Sequence, residues 1–247
     1  MKFNFSKRTV VITGGTRGIG LSVVKLFQNY DANIIATGTD KNQIKELNEK
    51  FEKTSTSYTH LDYNSDNSFK KFINKIKKYS NIDILINNAG INKIDSIQNI
   101  SNSDWDQINN INLRGPFLLT REVSKIMCSN SYGKIVNISS IFGTISKKKR
   151  ATYSTTKWGL IGFTKAVALD LATNNILVNA VSPGFIDTQL TRKILSKKEL
   201  SQLRDTIPQN RLGHPDEIAR TILFLSSEHN SYITGQNIII DGGFTCA

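Results

Sequence analysis

The sequence predicts one α/β domain, spanning 1–247, built on a parallel, doubly wound sheet. Short apolar runs alternate with helical patterns along most of the chain. This alternation favours parallel strands, because each parallel strand needs a crossover to bring the chain back to the same edge. The run Ile-Asp-Ile-Leu-Ile at 82–86 is almost continuously apolar, which is typical of a strand covered on both faces. We therefore expect ligands at the carboxyl ends of the strands.

Seven runs have the length and composition of strands, which predicts a seven-stranded sheet. They lie at 9–13, 33–37, 57–61, 82–86, 133–139, 177–181 and 237–241. Helical patterns fill the intervals at about 19–27, 41–52, 69–76, 104–127, 153–173 and 215–225. The polar segment from 188 to about 209 interrupts this rhythm at the edge where ligands would bind. We expect it to form a lid over the substrate.

A glycine-rich turn follows the first strand directly. Residues 14–20 read Gly-Gly-Thr-Arg-Gly-Ile-Gly and lead into the first helix. Glycines let the backbone approach a ligand closely, and the free N–H groups of a helix N-terminus attract a pyrophosphate. Strand, turn and helix therefore predict half of a dinucleotide site. The spacing differs from the commoner Gly-x-Gly-x-x-Gly, and a glycine turn without a ligand is the alternative.

The end of the second strand bears on the choice of cofactor. An acidic residue there accepts a hydrogen bond from the free 2′-hydroxyl of NAD, whereas basic or hydroxyl groups suit the 2′-phosphate of NADP. Arg17 in the glycine turn and Thr39 could hold this phosphate, while Asp40 follows one residue later. We predict NADP without excluding NAD, and Asp40 would then only cap the next helix.

Tyr153 and Lys157 lie four residues apart near the start of a long helical pattern. On a helix this spacing places both side chains on one face. Their ordinary pKa values of about 10 and about 10.4 keep both protons in place at neutral pH. An ammonium near the phenol favours phenolate, which would make Tyr153 a general acid/base for a carbonyl oxygen. A solvated surface pair is the alternative if no cofactor site faces them.

Pro116 interrupts the helical pattern at 104–127. Proline has no N–H, so the carbonyl of Asn112, four residues earlier, would lose its helical partner. That carbonyl would be free to bind a water molecule, and a simple helix kink is the alternative.

Charge and composition limit the possible partners. The formal net charge of +12 could attract anions. The lysines are scattered among helical patterns without a nucleic-acid motif, so we predict no nucleic-acid partner. No apolar run approaches 18 residues, which predicts no membrane partner and no export. Cys128 and Cys246 lack metal-ligand spacing, so we predict no metal site and a reducing, cytoplasmic location.

Together these motifs resemble the short-chain dehydrogenase/reductase family, from Thr9 to Gly243. The motifs that carry the resemblance are Thr13-Gly14-x-x-x-Gly18-x-Gly20, Asn87-Asn88-Ala89-Gly90, Asn112, Ser140, Tyr153-x-x-x-Lys157 and Pro183-Gly184. The resemblance implies a Rossmann fold and an NAD(P)-dependent oxidoreductase that interconverts a ketone and a secondary alcohol. It also implies a homotetramer that uses the helices at about 104–128 and 151–174 as one interface.

The resemblance assigns catalytic roles to four residues. It implies that Tyr153 is the general acid/base and that Lys157 lowers its pKa and holds the nicotinamide ribose. Ser140 would bind the substrate oxygen. The carbonyl of Asn112 would hold a water that links Lys157 to solvent.

The resemblance also implies the cofactor contacts. In it, Asp62 and Tyr63 flank the adenine, Asn88 contacts the adenosine side, and Ile186 and Thr188 bind the carboxamide. The full implied set is Gly14, Thr16, Arg17, Gly18, Ile19, Gly20, Thr39, Asp62, Tyr63, Asn88, Gly90, Tyr153, Lys157, Pro183, Gly184, Ile186 and Thr188.

Within the family, the pattern is most similar to 3-oxoacyl-acyl-carrier-protein reductases. The similarity includes the segments 213–218, Gly-His-Pro-Asp-Glu-Ile, and 232–236, Tyr-Ile-Thr-Gly-Gln. Those enzymes often dock the acidic carrier protein with basic residues, at positions where this chain has Ser131 and Asn174. Sugar, polyol and other small-alcohol dehydrogenases acting on an anionic substrate, possibly with NAD, are the alternative. A non-catalytic binding module is more remote, although fold does not fix function.

Four basic residues at 147–150, Lys-Lys-Lys-Arg, lie between Ser140 and Tyr153. A charge run in a loop is usually just solvated. Because this loop must lie beside the substrate pocket, the rival hypothesis is that it attracts an anionic substrate, such as a carboxylate, a phosphate or a nucleotide-linked sugar.

Overall fold

The computed structural model describes residues 2–194 and 196–246, and its centre is a sheet of parallel strands. The strands in chain order are β1 (Thr9–Ile12), β2 (Asn33–Gly38), β3 (Thr56–His60), β4 (Ile84–Asn87), β5 (Gly133–Ile138), β6 (Ile176–Pro183) and β7 (Asn237–Ile240). They lie side by side in the order β3-β2-β1-β4-β5-β6-β7, and all the pairings between these strands are parallel. The predicted α/β class and the seven-stranded, doubly wound Rossmann sheet are confirmed.

Helices connect the strands and cover both faces of the sheet. They are α1 (Gly18–Gln28), α2 (Lys41–Lys50), α3 (Asp66–Ile76), α4 (Asn102–Asn109), α5 (Gly115–Ser129), α6 (Ala151–Leu171), α7 (Gln189–Ile194), α8 (Lys197–Asp205) and α9 (Pro215–Ser226). A π-helical turn, Asn110–Arg114, joins α4 to α5 without a break. The long helix predicted at 104–127 therefore consists of α4, this turn and α5.

The core has two layers because strand side chains alternate between the faces of the sheet. Val10 and Ile12 of β1 pack with Phe27 of α1 on one face. Val11 packs with Phe72 of α3 on the other face. All three β1 residues are fully buried. The strands are thus fixed on both sides, which holds the turns at their carboxyl ends in place.

The strand order reverses at β1, which lies between β2 and β4. Val11 pairs with Ile35 on one side and with Leu85 on the other. The connections leaving β1 and β4 run to opposite faces of the sheet, and this divergence opens a crevice at the carboxyl ends of the two strands. The glycine turn after β1 and the Asn87-Asn88 pair at the end of β4 border this crevice.

The segment predicted as a lid contains α7 and α8. In α8, the Ser196 hydroxyl accepts from the Glu199 backbone N–H while the Glu199 carboxylate accepts from the Ser196 N–H, which is a capping box. Both ends of the Arg192 guanidinium fork donate to the Asp187 carboxylate at 2.7 Å, which anchors α7 to the loop after β6. The lid function stays a prediction.

None of the helices described here is both long enough and apolar enough to cross a membrane.

Candidate active site

The glycine turn has a backbone that side chains would disturb. Gly14 and Gly18 have φ values of +65° and +53°, a region that favours glycine. A Cβ on Gly20 would overlap the Gly14 carbonyl oxygen and would lie 2.5 Å from Nδ2 of Asn88. The turn therefore closes tightly upon itself and presents backbone to the crevice.

Side chains from β1 and β4 hold this turn. The Asn88 side-chain amide donates to the carbonyl oxygens of Thr13 at 2.9 Å and Gly14 at 3.1 Å. The Thr13 hydroxyl in turn accepts from the backbone N–H groups of Asn88 and Ala89, both at 3.0 Å. Both N–H donors of the Asn88 side-chain amide are therefore engaged by the glycine turn. A cofactor contact from the Asn88 side chain would have to use its oxygen.

The end of β2 lies against the glycine turn. A Cβ on Gly38 would overlap the methyl group of Thr16, so the Gly38 backbone lies against the Thr16 side chain. Arg17 and Thr39 are both exposed beside this junction. Oδ1 of Asp40 accepts from the N–H groups of Asn42 at 2.9 Å and Gln43 at 3.1 Å. Asp40 is thus the N-cap of α2, as the NADP interpretation expected.

The loop after β6 reaches the other side of the turn. A Cβ on Gly18 would lie 3.6 Å from Cγ2 of Thr188, so these two residues face each other. Ile186 is buried and pairs with Gly213. Gly184 packs on Asp241, because an added Cβ would lie 2.7 Å from the Asp241 Cα. Of the predicted carboxamide residues, Thr188 therefore lies against the glycine turn, and Ile186, which precedes it in sequence, is buried.

Tyr63 follows the end of β3, where the resemblance implies an adenine contact. Its side chain is buried, and its hydroxyl has no hydrogen-bond partner among the described residues. A Cβ on Gly115 would lie 2.6 Å from the Tyr63 ring, so the ring fills the space beside this glycine. Any contact with an adenine would have to come from the Tyr63 backbone. Asp62 is partly exposed, and its backbone N–H donates to the Ser68 hydroxyl.

The proline break is a widened helical turn. The N–H of Gly115 donates to the carbonyl oxygen of Asn110, five residues back, rather than four. The buried Asn112 side chain locks this turn: its oxygen accepts from Ile91 N–H at 2.9 Å. Its nitrogen donates to the Ile91 carbonyl at 2.9 Å and the Thr156 hydroxyl at 3.2 Å. Asn112 therefore ties α6 to the loop after β4.

Lys157 is buried at the same place. Its Nζ donates to the Ile138 carbonyl at 2.7 Å, at the end of β5. A Cβ on Gly90 would lie 3.5 Å from both Lys157 Nζ and Asn112 Oδ1, so the three residues adjoin one another. Burial lowers the pKa of Lys157 to about 8. The ammonium is therefore held with little solvent to stabilise its charge.

Tyr153 lies on the face of α6 that carries Lys157, whose Nζ is 5.6 Å from the Tyr153 ring centroid. Burial raises the pKa of the Tyr153 phenol, while a hydrogen bond with Ser140 and the charge of Arg150 oppose this rise. The Ser140 hydroxyl also accepts from the Phe142 N–H at 3.1 Å, which fixes its position after β5. The structure thus brings Ser140, Tyr153 and Lys157 together. The role of Lys157 in lowering the pKa of Tyr153 stays a prediction.

The basic run divides into two parts. Lys147, Lys148 and Lys149 are exposed, as expected of a solvated loop. Arg150 is half-buried at the start of α6, and its guanidinium carbon lies 5.6 Å from the Phe142 ring centroid. Only the last residue of the run faces the catalytic cluster.

The crevice suits a dinucleotide. The glycine turn leaves a cradle that a Cβ would fill at Gly20, and the N-terminus of α1 opens onto it. One flank carries Arg17, and the other carries Thr188 and the cluster of Tyr153 and Lys157. These residues offer backbone donors, cations and hydroxyls, which are the groups that the pyrophosphate, riboses and carboxamide of a nicotinamide dinucleotide can bind.

Comparison with known proteins settles the family. The sequence model described as enoyl-(acyl carrier protein) reductase matches residues 14–245. The chain belongs to the short-chain dehydrogenase/reductase family. It is 38% identical to 3-oxoacyl-[acyl-carrier-protein] reductase of Aquifex aeolicus, over 98% of this chain and 99% of that protein. It is 39% identical to the enzyme of the same name from Buchnera aphidicola, over 96% and 97%. The resemblance inferred from the motifs is confirmed, and the protein is an NAD(P)-dependent oxidoreductase.

Solved structures of dehydrogenases share the whole fold. A gluconate 5-dehydrogenase from Burkholderia cenocepacia, in complex with NADP and tartrate, superposes with a TM-score of 0.92. It is 28% identical, over 99% of this chain and 98% of that one. A 4-hydroxyisoleucine dehydrogenase mutant, complexed with NADH and succinate, has a TM-score of 0.91 and is 32% identical, over 97% and 99%. These relatives thus include complexes with each nicotinamide cofactor.

Sequence reasoning gave no supporting role to two threonines of this short-chain dehydrogenase/reductase site. Thr13 and Thr156 hold Asn88 and Asn112 through their hydroxyls. Thr13 belongs to the glycine motif, so its position was a usable signal. Nothing local to Thr156 predicts its bond to a residue 44 positions away.

Proposed function

We propose that the protein is an NADPH-dependent reductase of 3-oxoacyl thioesters, with Tyr153 as its proton donor. The observation that carries this proposal is the cluster of Ser140, Tyr153 and Lys157 beside the glycine turn. Relatives named 3-oxoacyl-[acyl-carrier-protein] reductase, which match nearly the full chain, favour this substrate over a sugar or polyol.

The side chains divide the work as follows. Burial keeps the Tyr153 phenol protonated at neutral pH, so it has a proton to give to the oxygen of a ketone. Ser140, whose interaction with that phenol opposes the rise in the pKa of Tyr153, would donate to the same oxygen and orient the carbonyl. Lys157 would hold the nicotinamide ribose with its ammonium. The carbonyl of Asn112, which has no N–H four residues ahead because of Pro116, would hold a water through which the phenol is reprotonated.

The reduced nicotinamide, when bound, supplies the hydride. The protein's contribution is to orient the ketone and to exclude water around it. A row of aromatic rings continues from Tyr153 through Phe142 and Phe185 to Phe244, with successive centroid distances of 6.5, 6.1 and 5.1 Å. Such a surface suits an apolar acyl chain.

A substrate panel tests this function. We expect the enzyme to reduce acetoacetyl thioesters of coenzyme A and of acyl carrier protein with NADPH, and to act far more slowly on gluconate or a polyol with NADP⁺. Because Ser131 and Asn174 stand where carrier-docking enzymes often have basic residues, the two thioesters should have similar KM values. Turnover of polyols but not of thioesters would contradict the proposal.

The proposed preference for NADPH rests on Arg17 and Asp40. Arg17 is exposed in the glycine turn, whereas Asp40 is engaged as the cap of α2. Arg17→Gln should raise the KM for NADPH at least tenfold and leave that for NADH nearly unchanged, since only NADPH carries the 2′-phosphate. Asp40→Asn is the matched control, because asparagine also caps helices well. A selective loss of NADH binding in the Asp40 variant would show that Asp40, and therefore NAD, was the correct assignment.

We infer that the enzyme is a homotetramer. The α4–α5 segment and α6 carry large apolar side chains that are exposed in the single chain, namely Trp105, Phe117, Trp158 and Leu169. Apolar exposure of this kind, on two neighbouring helices, favours burial against another copy. Light scattering after size exclusion should give four copies, and Trp158→Lys should reduce that number. A monomeric wild-type enzyme would contradict the inference.

We place the enzyme in the cytoplasm. Both Cys128 and Cys246 are free thiols, which is consistent with a reducing compartment. Fractionation of the source cells, with detection of the protein by antibody, tests this location.

A further inference from the structure

Arg150 is the one residue of the basic run at 147–150 whose side chain is partly buried. Its Nε and Nη1 atoms are buried and have no hydrogen-bond partner among the described residues. Burial lowers the pKa of its guanidinium. The three lysines before it are exposed, so this environment is specific to Arg150.

A half-buried guanidinium with two unpartnered donor atoms is in an unfavourable environment. The group stays protonated, because arginine does not lose its proton under physiological conditions. Nε and Nη1 have lost water and gained no acceptor among the described residues, which is a destabilising arrangement unless a ligand completes it. The missing partner is therefore an anion with acceptor oxygens.

The guanidinium lies on the substrate side of the cluster. Its carbon is 5.6 Å from the centroid of Phe142, whose ring is next to that of Tyr153. The positive charge of Arg150 opposes the rise that burial causes in the pKa of Tyr153. Arg17, which is proposed to meet the cofactor phosphate, lies in the glycine turn and is a separate cation. An anion on Arg150 would therefore belong to the molecule that reacts at Tyr153.

We propose that Arg150 binds a carboxylate of the substrate and that the enzyme also reduces short oxo acids in their free form. This inference rests on the proposed function for the chemistry at Tyr153 and extends it to a second class of substrate. The ketone carbon receives the hydride of NADPH and the ketone oxygen receives the Tyr153 proton. The products are a hydroxy acid and NADP⁺, and solvent returns the proton to the phenol.

A carboxylate fits this position better than a thioester does. Two parallel N–H groups of a guanidinium match the two oxygens of a carboxylate in spacing and charge. A thioester carbonyl offers one neutral oxygen and leaves the positive charge uncompensated. Arg150 therefore discriminates between the two substrates.

Kinetics with acetoacetate and acetoacetyl coenzyme A test this role. In Arg150→Gln, the ratio of kcat/KM for acetoacetate to that for the thioester should fall at least tenfold, mainly through the KM for acetoacetate. The control Lys148→Gln removes an exposed charge from the same loop and should leave the ratio unchanged. Because the ratio compares two substrates of one variant, general damage to the site cancels. An unchanged ratio in Arg150→Gln, or an equal fall in the control, would overturn the inference.

Binding of an unreactive dicarboxylate provides a readout without turnover. Malonate should raise the unfolding temperature of the wild-type enzyme above that in sodium chloride of equal ionic strength, and Arg150→Gln should lose this shift. If that variant does not fold, competition decides: malonate must inhibit acetoacetate reduction competitively in the wild type, and failure to do so overturns the inference. If the wild-type enzyme reduced acetoacetate in an Arg150-dependent way but did not reduce thioesters, the proposed function would be refuted and the role of Arg150 would stand.

Discussion

Lys157→Met should change the stability of the cofactor-free protein more favourably at neutral pH than at alkaline pH. The Lys157 side chain is buried, and its pKa is lowered from 10.5 to about 8 by burial. A difference of that size corresponds to about 3 kcal/mol of unfavourable free energy for carrying the charge in the folded state. Methionine has a similar length and no charge to desolvate. The residue expected to bind the cofactor ribose thus destabilises the unliganded fold.

The sign of the pH dependence follows from which state binds the proton more tightly. Above about pH 10.5 Lys157 is neutral in both states, and the penalty is absent. As the pH falls from 10.5 to about 8, Lys157 binds a proton in the unfolded chain but not in the folded chain, so the native state loses stability. Below about pH 8 both states are protonated and the full penalty applies. The wild type should therefore gain stability from this group as the pH rises from 8 to 10.5.

Urea unfolding at pH 7 and pH 10 measures this effect. Methionine leaves the Ile138 carbonyl without its donor, which costs about 1–3 kcal/mol at either pH. This cost cancels when the stability gap between variant and wild type is compared at the two pH values. We expect the gap to favour the variant by about 2–3 kcal/mol more at pH 7 than at pH 10. Lys148→Met, which removes an exposed lysine, should show the same gap at both. A gap in Lys157→Met that does not change with pH would refute the argument.

Two further substitutions probe the frame of the site. Gly20→Ala places a methyl group 2.5 Å from Nδ2 of Asn88. It should weaken NADPH binding more than tenfold, as measured by fluorescence titration. Unchanged affinity would mean that the glycine turn does not hold the pyrophosphate. Asn112→Ala removes three hydrogen bonds to Ile91 and Thr156 and should lower the free energy of unfolding by about 2–4 kcal/mol. Thr156→Val breaks one of these bonds and should lower the free energy of unfolding by about 1 kcal/mol. Equal losses in the two variants would contradict the assigned network.

Most of the architecture could be predicted from the sequence, because local residue patterns specify the strands, the helices and the glycine turn. The apolar run of β1 and the glycine turn that follows it predicted the crevice, since both are recognised from neighbouring residues. The four-residue spacing of Tyr153 and Lys157 predicted a shared helical face, which α6 provides. The predicted strands and helices differ from the observed ones by a few residues at their ends. Contacts with residues distant in sequence determine where each element ends.

The features that sequence reasoning missed depend on contacts between distant segments. Pro116 signalled a break, but the π-helical turn forms because Asn112 binds Ile91 and Thr156, 21 and 44 residues away. Tyr63 is buried because a glycine at 115 leaves room for its ring, which no local pattern shows. The inward orientation of the last residue in the basic run likewise depends on where α6 begins.

The most direct test of the proposed mechanism is the turnover of Tyr153→Phe. This change removes only the hydroxyl that is to give the proton, and Lys157 keeps its bond to the Ile138 carbonyl. With NADPH and acetoacetyl coenzyme A, we predict that kcat falls roughly 100- to 10,000-fold, while the affinity for NADPH, measured by fluorescence, changes little. Undiminished turnover in the phenylalanine variant would contradict the assignment of Tyr153 as the acid.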